Sequence, residues 1–427
     1  MKPCFFVTLS LVALPASLVA QVPNPTNLWL VDLKWTGNRL SAGTPVKLTR
    51  DEGSNSQPAF TPDGRAVVFS AVRDTGRAAQ GDIYRIDLAT RRETRVTTTS
   101  ENENSPTVNE RGEYVAVRWV PATLFKEFGP WIYAKDGTPK QGVLRGPDST
   151  GYFTPLPGGD YALTRPKSKT FTLGLFDAKT GAIVDVDSGI PALPAVRIPG
   201  ERAVSYVHID TAGAHHAIVR LDLGTRKTSS LGPTLVGRTA HAWVAGRRTI
   251  LMAKGNTLYA RGMRDTTWRV VAAFANPELR SATAYVVSAQ GDKLILVSPK
   301  RLSLATVLRD SLEAGRSGAD IAVMVLAWRD AGTLGDLDVA EGGIGGVADS
   351  RLQIKRMADG LAIHGLATTM FPTSFRAFAR LGDAQRAAGD SASSVASYKR
   401  SLDLNPRSTD AERTSAAAVE KKLGVSP

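Results

Sequence analysis

A chain of 427 residues is too long for one ordinary core, and 39 Gly with 24 Pro in a sequence 42% hydrophobic and 22% charged imply a turn-rich globular protein of two or three units. The formal charge of +13 favours acidic partners, but Lys and Arg are scattered with no run longer than Arg91-Arg92 or Lys421-Lys422, which excludes a polybasic tract. The only cysteine is Cys4, upstream of the first apolar run, so a chain that has lost its leader has no disulfide, thiolate nucleophile or cysteine-ligated metal.

The leader is the first expected element. Lys2 precedes an apolar run from Phe5 to Val19, and Leu18-Val19-Ala20 stands before Gln21, the layout of a secretory signal over residues 1–20 cleaved near Ala20. The run is too short for a permanent span, so the expectation is a periplasmic or secreted protein that is not integral to the membrane. Export argues against nucleic acid as a partner. Lipid headgroups, peptidoglycan carboxylates or acidic proteins suit the charge better, as peripheral contacts with acidic surfaces.

From residue 27 two kinds of short alternating segment recur. One closes on an acidic residue: NLWLVDL at 27–33, DIYRIDL at 82–88, WIYAKDG at 131–137, LGLFDAK at 173–179, AIVRLDL at 217–223 and TLYARGM at 257–263. The landmarks Asp32, Asp87, Asp136, Asp177 and Asp222 are 55, 49, 41 and 45 residues apart, and Gly262 takes the place in the sixth copy. The other is a two-strand hairpin, clearest in SQPAFTPDGRAVVFSA at 56–71 and NSPTVNERGEYVAVRW at 104–119, with weaker copies at 151–165, 194–208, 241–254 and 283–298. Each carries a Gly at or near the turn, and Pro62-Asp63-Gly64 is the strongest turn signal.

Paired hairpins at this spacing predict propeller blades of four strands, six in number. The chain begins with an outer hairpin (27–49) and ends the pattern with an inner one (283–298), so these two are expected to share the last blade and leave no open seam. SQPAFTPDGRAVVFSA followed by DIYRIDLATRRETRVT resembles the repeat of the TolB propeller and its WD40-like relatives, in which a Ser-Pro-x-Trp-Ser-Pro-Asp-Gly turn precedes Ile-Tyr-x-x-Asp. The match is good over 51–119 and fades afterwards. It implies an all-β six-bladed propeller over residues 21–299 and, carried further, a place in cell-envelope assembly. The separate N-terminal domain of TolB is missing from the pattern. Propellers host unrelated activities, so the resemblance speaks for fold before function.

After Pro299 the alternation gives way to 3.6-residue periodicity, which predicts an all-α helical domain over 300–427. SFRAFARLGDAQRAAGDSASSVASYKRSLDLNP at 374–406 resembles a tetratricopeptide repeat, with Phe378, Leu381, Gly382, Tyr398 and Pro406 in that family's places. Pro372 precedes Pro406 by 34 residues, the repeat length, so a degenerate earlier copy is expected within about 336–372. Residues 408–423 begin with a capping pattern and read as a covering helix, and the stack is expected to lean on helices within 301–331 or on the propeller rim. Glu341-Gly342-Gly343-Ile344-Gly345-Gly346 lacks the companions of a phosphate loop or dinucleotide fingerprint and reads as a flexible connection. Arg376, Arg380 and Gln385 are the expected contacts of the helical groove.

Catalytic constellations are scarce. No Gly-x-Ser-x-Gly elbow occurs, and the helical tail is too short for the hydrolase domain that follows some propellers of this type. Of the five His, His215 and His216 adjoin a turn before a strand, where neighbours point to opposite faces and do not easily serve one ion, while His208 and His241 lie at hairpin ends near the ring's openings. Glu101-Asn102-Glu103-Asn104 and Asp51-Glu52-Gly53-Ser54-Asn55 occupy matching places before the second and first inner hairpins. Their oxygens suit Ca²⁺ or a cationic ligand, with Glu101, Glu103, Asp51 and Glu52 as candidate metal ligands. Asn55, Asn102, Asn104, His208 and His241 are the candidate contacts of the propeller mouth. The expectation is a non-catalytic binding or scaffold protein of the cell envelope, without cofactor, that recognises a protein or peptide. The alternative is a Ca²⁺-dependent propeller lactonase or lyase.

Overall fold

The computed structural model describes residues 25–50, 53–73, 80–119, 128–144, 149–167, 170–209 and 216–424. The expected leader and Cys4 therefore lie outside the described residues. Within them the chain folds as a six-bladed β-propeller followed by seven α-helices.

The chain enters through β1 (Thr26–Thr36), β2 (Arg39–Ala42) and β3 (Val46–Lys47). Blade one then takes β4 (Ser54–Phe60), β5 (Ala66–Val72), β6 (Gly81–Asp87) and β7 (Glu93–Arg95), and blade two takes β8 (Asn102–Val108), β9 (Tyr114–Trp119), β10 (Phe128–Tyr133) and β11 (Pro139–Gly142). Blade three is β12 (Tyr152–Pro155), β13 (Tyr161–Lys167), β14 (Thr170–Phe176) and β15 (Ile183–Ile190). Blade four is β16 (Val196–Arg197), β17 (Ala203–Ile209), β18 (His216–Asp222) and β19 (Thr228–Pro233); blade five is β20 (Ala242–Val244), β21 (Thr249–Lys254), β22 (Thr257–Gly262) and β23 (Arg269–Ala273). Each is an antiparallel meander. Blade six is built from both ends of the pattern: β24 (Ala284–Val287) pairs with β25 (Lys293–Pro299), β25 pairs with β1, and β1 pairs in turn with β2 and β3.

The closing strand shows why the sequence reads as it does. A blade buries both faces against its neighbours, so a central strand needs apolar residues at every position. Leu28 and Leu30 pack with Val67, Phe69 and Ile86 of blade one, whereas Trp29 and Val31 pack with Leu251 and Leu258 of blade five. The run Leu28-Trp29-Leu30-Val31 is thus two alternating patterns interleaved. The recurring Asp also has a local cause. Asp87 and Asp222 end a third strand and Asp177 directly follows one; each accepts two backbone N–H groups from the turn beyond, and Asp136 accepts one from Thr138. In the sixth copy, where Gly262 replaces the Asp, the Asp265 carboxylate bonds back to the Gly262 N–H at 3.1 Å.

The helical region comprises α1 (Leu304–Glu313), α2 (Gly318–Asp330), α3 (Glu341–Gln353), α4 (Met357–Met370), α5 (Phe375–Ala387), α6 (Ser391–Leu404) and α7 (Asp410–Leu423). A two-residue parallel bridge joins β26 (Leu302–Ser303) to β27 (Leu337–Asp338). The start of α5 follows that of α3 by 34 residues and the start of α6 follows that of α4 by the same interval, from 341 to 375 and from 357 to 391. α7 opens with a reciprocal capping box between Thr409 and Glu412.

Residues 341–346 are the first turns of α3, not a flexible connection. Ile344, Val347 and Ala348 recur at helical spacing and are buried in the core shared by α1 to α5. The glycines let neighbours approach: a Cβ on Gly345 would strike the Arg380 guanidinium, and one on Gly343 would crowd Ala305 of α1. α1 also meets the propeller, through Arg238 to Asp310 at 2.5 Å and Lys254 to Glu313 at 3.2 Å.

Candidate functional site

The six innermost strands, β4, β8, β12, β16, β20 and β24, each have a paired neighbour on one side only. Residues from all six enclose a cavity of about 1970 Å³. Their free edges carry the backbone N–H and C=O groups that a sheet edge leaves open to a further extended chain. Apolar and aromatic side chains such as Phe60, Tyr152 and Tyr285 stand between those edges.

Two bulges shape the wall. The pairing of β4 with β5 slips between Ser56 and Ala59, and that of β8 with β9 slips between Asn104 and Thr107. Gln57 and Ser105 occupy equivalent places in the bulges, with φ of 53° and 52°, and each precedes a proline. Proline has no N–H for the ladder, so the strand must bulge there. The Ser105 N–H donates to Gln57 Oε1 at 2.7 Å, which joins the two bulges across the seam between blades one and two. Sequence reasoning passed over this pair, although Gln57-Pro58 and Ser105-Pro106 at the same place in two repeats were the signal.

The charges on the wall divide into bound and free. Glu113 is held by Lys140 at 2.7 Å and Asn109 at 3.0 Å, and Glu201 by Arg220 at 2.8 Å and Arg248 at 3.3 Å. Arg197, exposed on β16, also lines the cavity. It makes no ion pair or side-chain hydrogen bond among the described residues. Glu110 and Arg111 are exposed on the turn between β8 and β9 at the rim.

The residues expected at the mouth are mostly drawn into the seams between blades. Asn55 is fully buried and ties blade one to blade six, donating to the Thr26 carbonyl at 2.7 Å and accepting from Arg73 at 2.8 Å. Asn102 accepts from the Gly81 N–H at 2.9 Å, and Asn104 accepts from the Ser70 hydroxyl at 3.3 Å. Both bonds join blade two to blade one. His241 does line the cavity, yet its Nε2 lies 2.7 Å from the Ser205 hydroxyl, which also accepts from Trp243 Nε1 at 2.8 Å. Burial, with the Arg261 charge nearby, pushes the ring's pKa down to about 4, so the imidazole is neutral at ordinary pH. Ser205 is wholly enclosed, and this pair fastens blade four to blade five. His208 stands 3.1 Å from Asp187, which also takes the Tyr206 hydroxyl at 2.6 Å.

Of the proposed oxygen ligands, Glu101 and Glu103 are engaged within the protein. Burial opposes ionisation of Glu101, but the Ser100 hydroxyl and the Arg118 guanidinium at 3.2 Å hold its carboxyl below the usual range. Glu103 is enclosed among Thr97, Thr99 and Tyr133, and burial pushes its pKa up to about 7. Asp51 and Glu52 lie outside the described residues. Among the described residues no three His, Cys, Asp or Glu side chains gather as a metal site. In the helical region Arg376 stacks on Phe375 at 4.8 Å, Arg380 lies against Gly345, and Gln385 is engaged inside the α5–α6 pair by the Ser397 hydroxyl at 2.7 Å.

No family model matches the sequence, and no curated protein matches it. Among solved structures the chain is similar to a candidate TolB from Agrobacterium tumefaciens at 13% identity and a TM-score of 0.48, over 64% of this chain and 98% of that one. It is similar to TolB from Acinetobacter baumannii at 14% identity and a TM-score of 0.39, over 66% of each chain. It is also similar to an oligogalacturonate lyase in complex with manganese at 15% identity and a TM-score of 0.41, over 60% of this chain and 80% of that one. At these identities the likenesses concern the fold alone.

Proposed function

We propose that the chain is an exported binding module of the cell envelope whose propeller accepts an extended peptide or protein segment. The observation that carries this reading is the cavity of about 1970 Å³ framed by six open strand edges. That volume exceeds the several hundred to about 1,000 Å³ of ordinary small-molecule sites, and open backbone edges bind a main chain as readily as a side chain. The leader read over residues 1–20 supports export, and no helix among the described residues is long and apolar enough to cross a membrane. The helical region, with its 34-residue period and capped last helix, belongs in this reading to the tetratricopeptide type and offers a second protein-binding surface. A Ca²⁺- or Mn²⁺-dependent lactonase or lyase is the competing reading.

The test is selection of displayed peptides on the purified chain, followed by binding to a variant with Thr239→Trp, which fills the cavity from its wall. Selected peptides are expected to bind Thr239→Trp at least about tenfold more weakly, a loss of 1.4 kcal/mol, with the melting midpoint unchanged. Calorimetric titration with Ca²⁺ and Mn²⁺, alongside lactone hydrolysis and oligogalacturonate cleavage assays, addresses the competitor. Tight metal binding with turnover would replace the binding-module reading.

A further inference from the structure

We infer that the segment bound in the propeller is acidic, and that Arg197 receives one of its carboxylates. This rests on the peptide-binding reading of the cavity and names the chemistry of its ligand. Two observations support it independently. Of the three carboxylates that line the cavity among the described residues, Glu113 and Glu201 are engaged by Lys140, Arg220 and Arg248, and Glu110 stands out on the rim turn beside Arg111. Arg197 lines the same cavity, exposed and without an ion pair or side-chain hydrogen bond among the described residues. A guanidinium has five N–H donors in a planar fork, which match a carboxylate with two parallel bonds. The second observation is the placement of charge. Over residues 21–299 Lys and Arg number 35 against 25 Asp and Glu, while over 300–427 they number 17 against 15. The excess belongs to the propeller, where it raises the local concentration of an acidic chain and speeds its encounter.

A carboxylate-bearing sugar polymer offers Arg197 the same partner. The strand edges favour a peptide, because only a peptide returns both donors and acceptors at the repeat of a β-strand. Arg111 at the rim belongs to the approach, where the charge acts at longer range and is more strongly screened.

Peptides selected on the unmodified chain are resynthesised with each Asp or Glu changed in turn to Asn or Gln, and with an amidated C-terminus. Their binding is measured on the unmodified chain, on Arg197→Gln and on Arg111→Gln. One amide change is expected to cost about tenfold on the unmodified chain and on Arg111→Gln, and nothing on Arg197→Gln, where acid and amide bind alike. Equal acid-to-amide ratios on the unmodified chain and on Arg197→Gln overturn the assignment while the peptide reading stands. The same holds for selected peptides with no acidic position. Binding that ignores Thr239→Trp, or selection that yields no peptide, removes the peptide reading and this inference with it. Oligogalacturonate that binds through Arg197 in place of any peptide also overturns it. A circular dichroism melt of each variant checks the fold; Arg197 is exposed on a two-residue strand, and its loss is expected to leave the midpoint in place.

Discussion

Glu103 carries a carboxyl group into the seam between blades one and two, where Thr97, Thr99 and Tyr133 close around it and Asp82 adds a like charge nearby. Burial pushes its pKa up from 4.5 to about 7. The unfolded carboxyl loses its proton near the lower value while the folded one still holds it. Stability contributed at this position therefore falls as pH rises between the two values and levels off above the upper one. Taken alone the shift corresponds to roughly 3 kcal/mol. Glu103→Gln keeps the shape and removes the titration. Urea unfolding at pH 5 and pH 8 is expected to show the unmodified chain losing more stability across that interval than Glu103→Gln; parallel losses would refute it. The sequence offers Glu103 as a metal ligand because a Glu-Asn run gathers oxygen donors. What it could not show was the register of β8, which turns residue 103 into the seam. Asn55, at the matching place in β4, is hidden in the same way.

At the scale of the element, glycine has opposite meanings in neighbouring helices. Gly382 in α5 lies against the ring of Tyr398 in α6, where an added Cβ would come within 2.7 Å of two ring carbons. Gly382→Ala is expected to cost about 1–3 kcal/mol by overpacking. Gly346 in α3 has nothing within 4 Å of the same position. Gly346→Ala is expected to add about 0.5–1 kcal/mol, because alanine loses less backbone freedom on entering a helix. Denaturant melts of the two variants check both signs, and a loss from Gly346→Ala would contradict the helical assignment of residues 341–346. The pairing of Gly382 with Tyr398 was legible, since a repeat that places Leu-Gly ahead of an aromatic makes room for it. α3 was not. Its four glycines imitate a linker, and only Ile344, Val347 and Ala348 at helical spacing reveal that packing outweighs propensity.

For the whole molecule, most of the architecture was written in periodicity. Six repeats of an inner and an outer hairpin, punctuated by Asp and Gly, specify the number of sheets and the partner of the first strand. The strand edges that face the cavity were not legible, because an open edge is a property of closure and belongs to no single residue. The register of closure sets Asp32 opposite Lys293. Replacing both with cysteine would staple the ring across a loop of some 260 residues, with an upper bound of about 5.6 kcal/mol from chain entropy. The oxidised variant is expected to melt at a higher temperature than its reduced form, and equal midpoints would show that opening does not begin at this seam.

A ring fastened by its own opening segment imposes an order on assembly. Leu28 to Val31 must wait, apolar and unmatched, until Leu294 to Val297 have been synthesised, and so long a separation makes docking of this strand slow relative to local hairpins. In the interval the berth beside β25 accepts the equivalent strand from another copy, with the same hydrogen bonds and the same buried side chains. Refolding at high protein concentration is expected to yield intertwined dimers, detectable by gel filtration, and the yield should fall on dilution while monomer recovers.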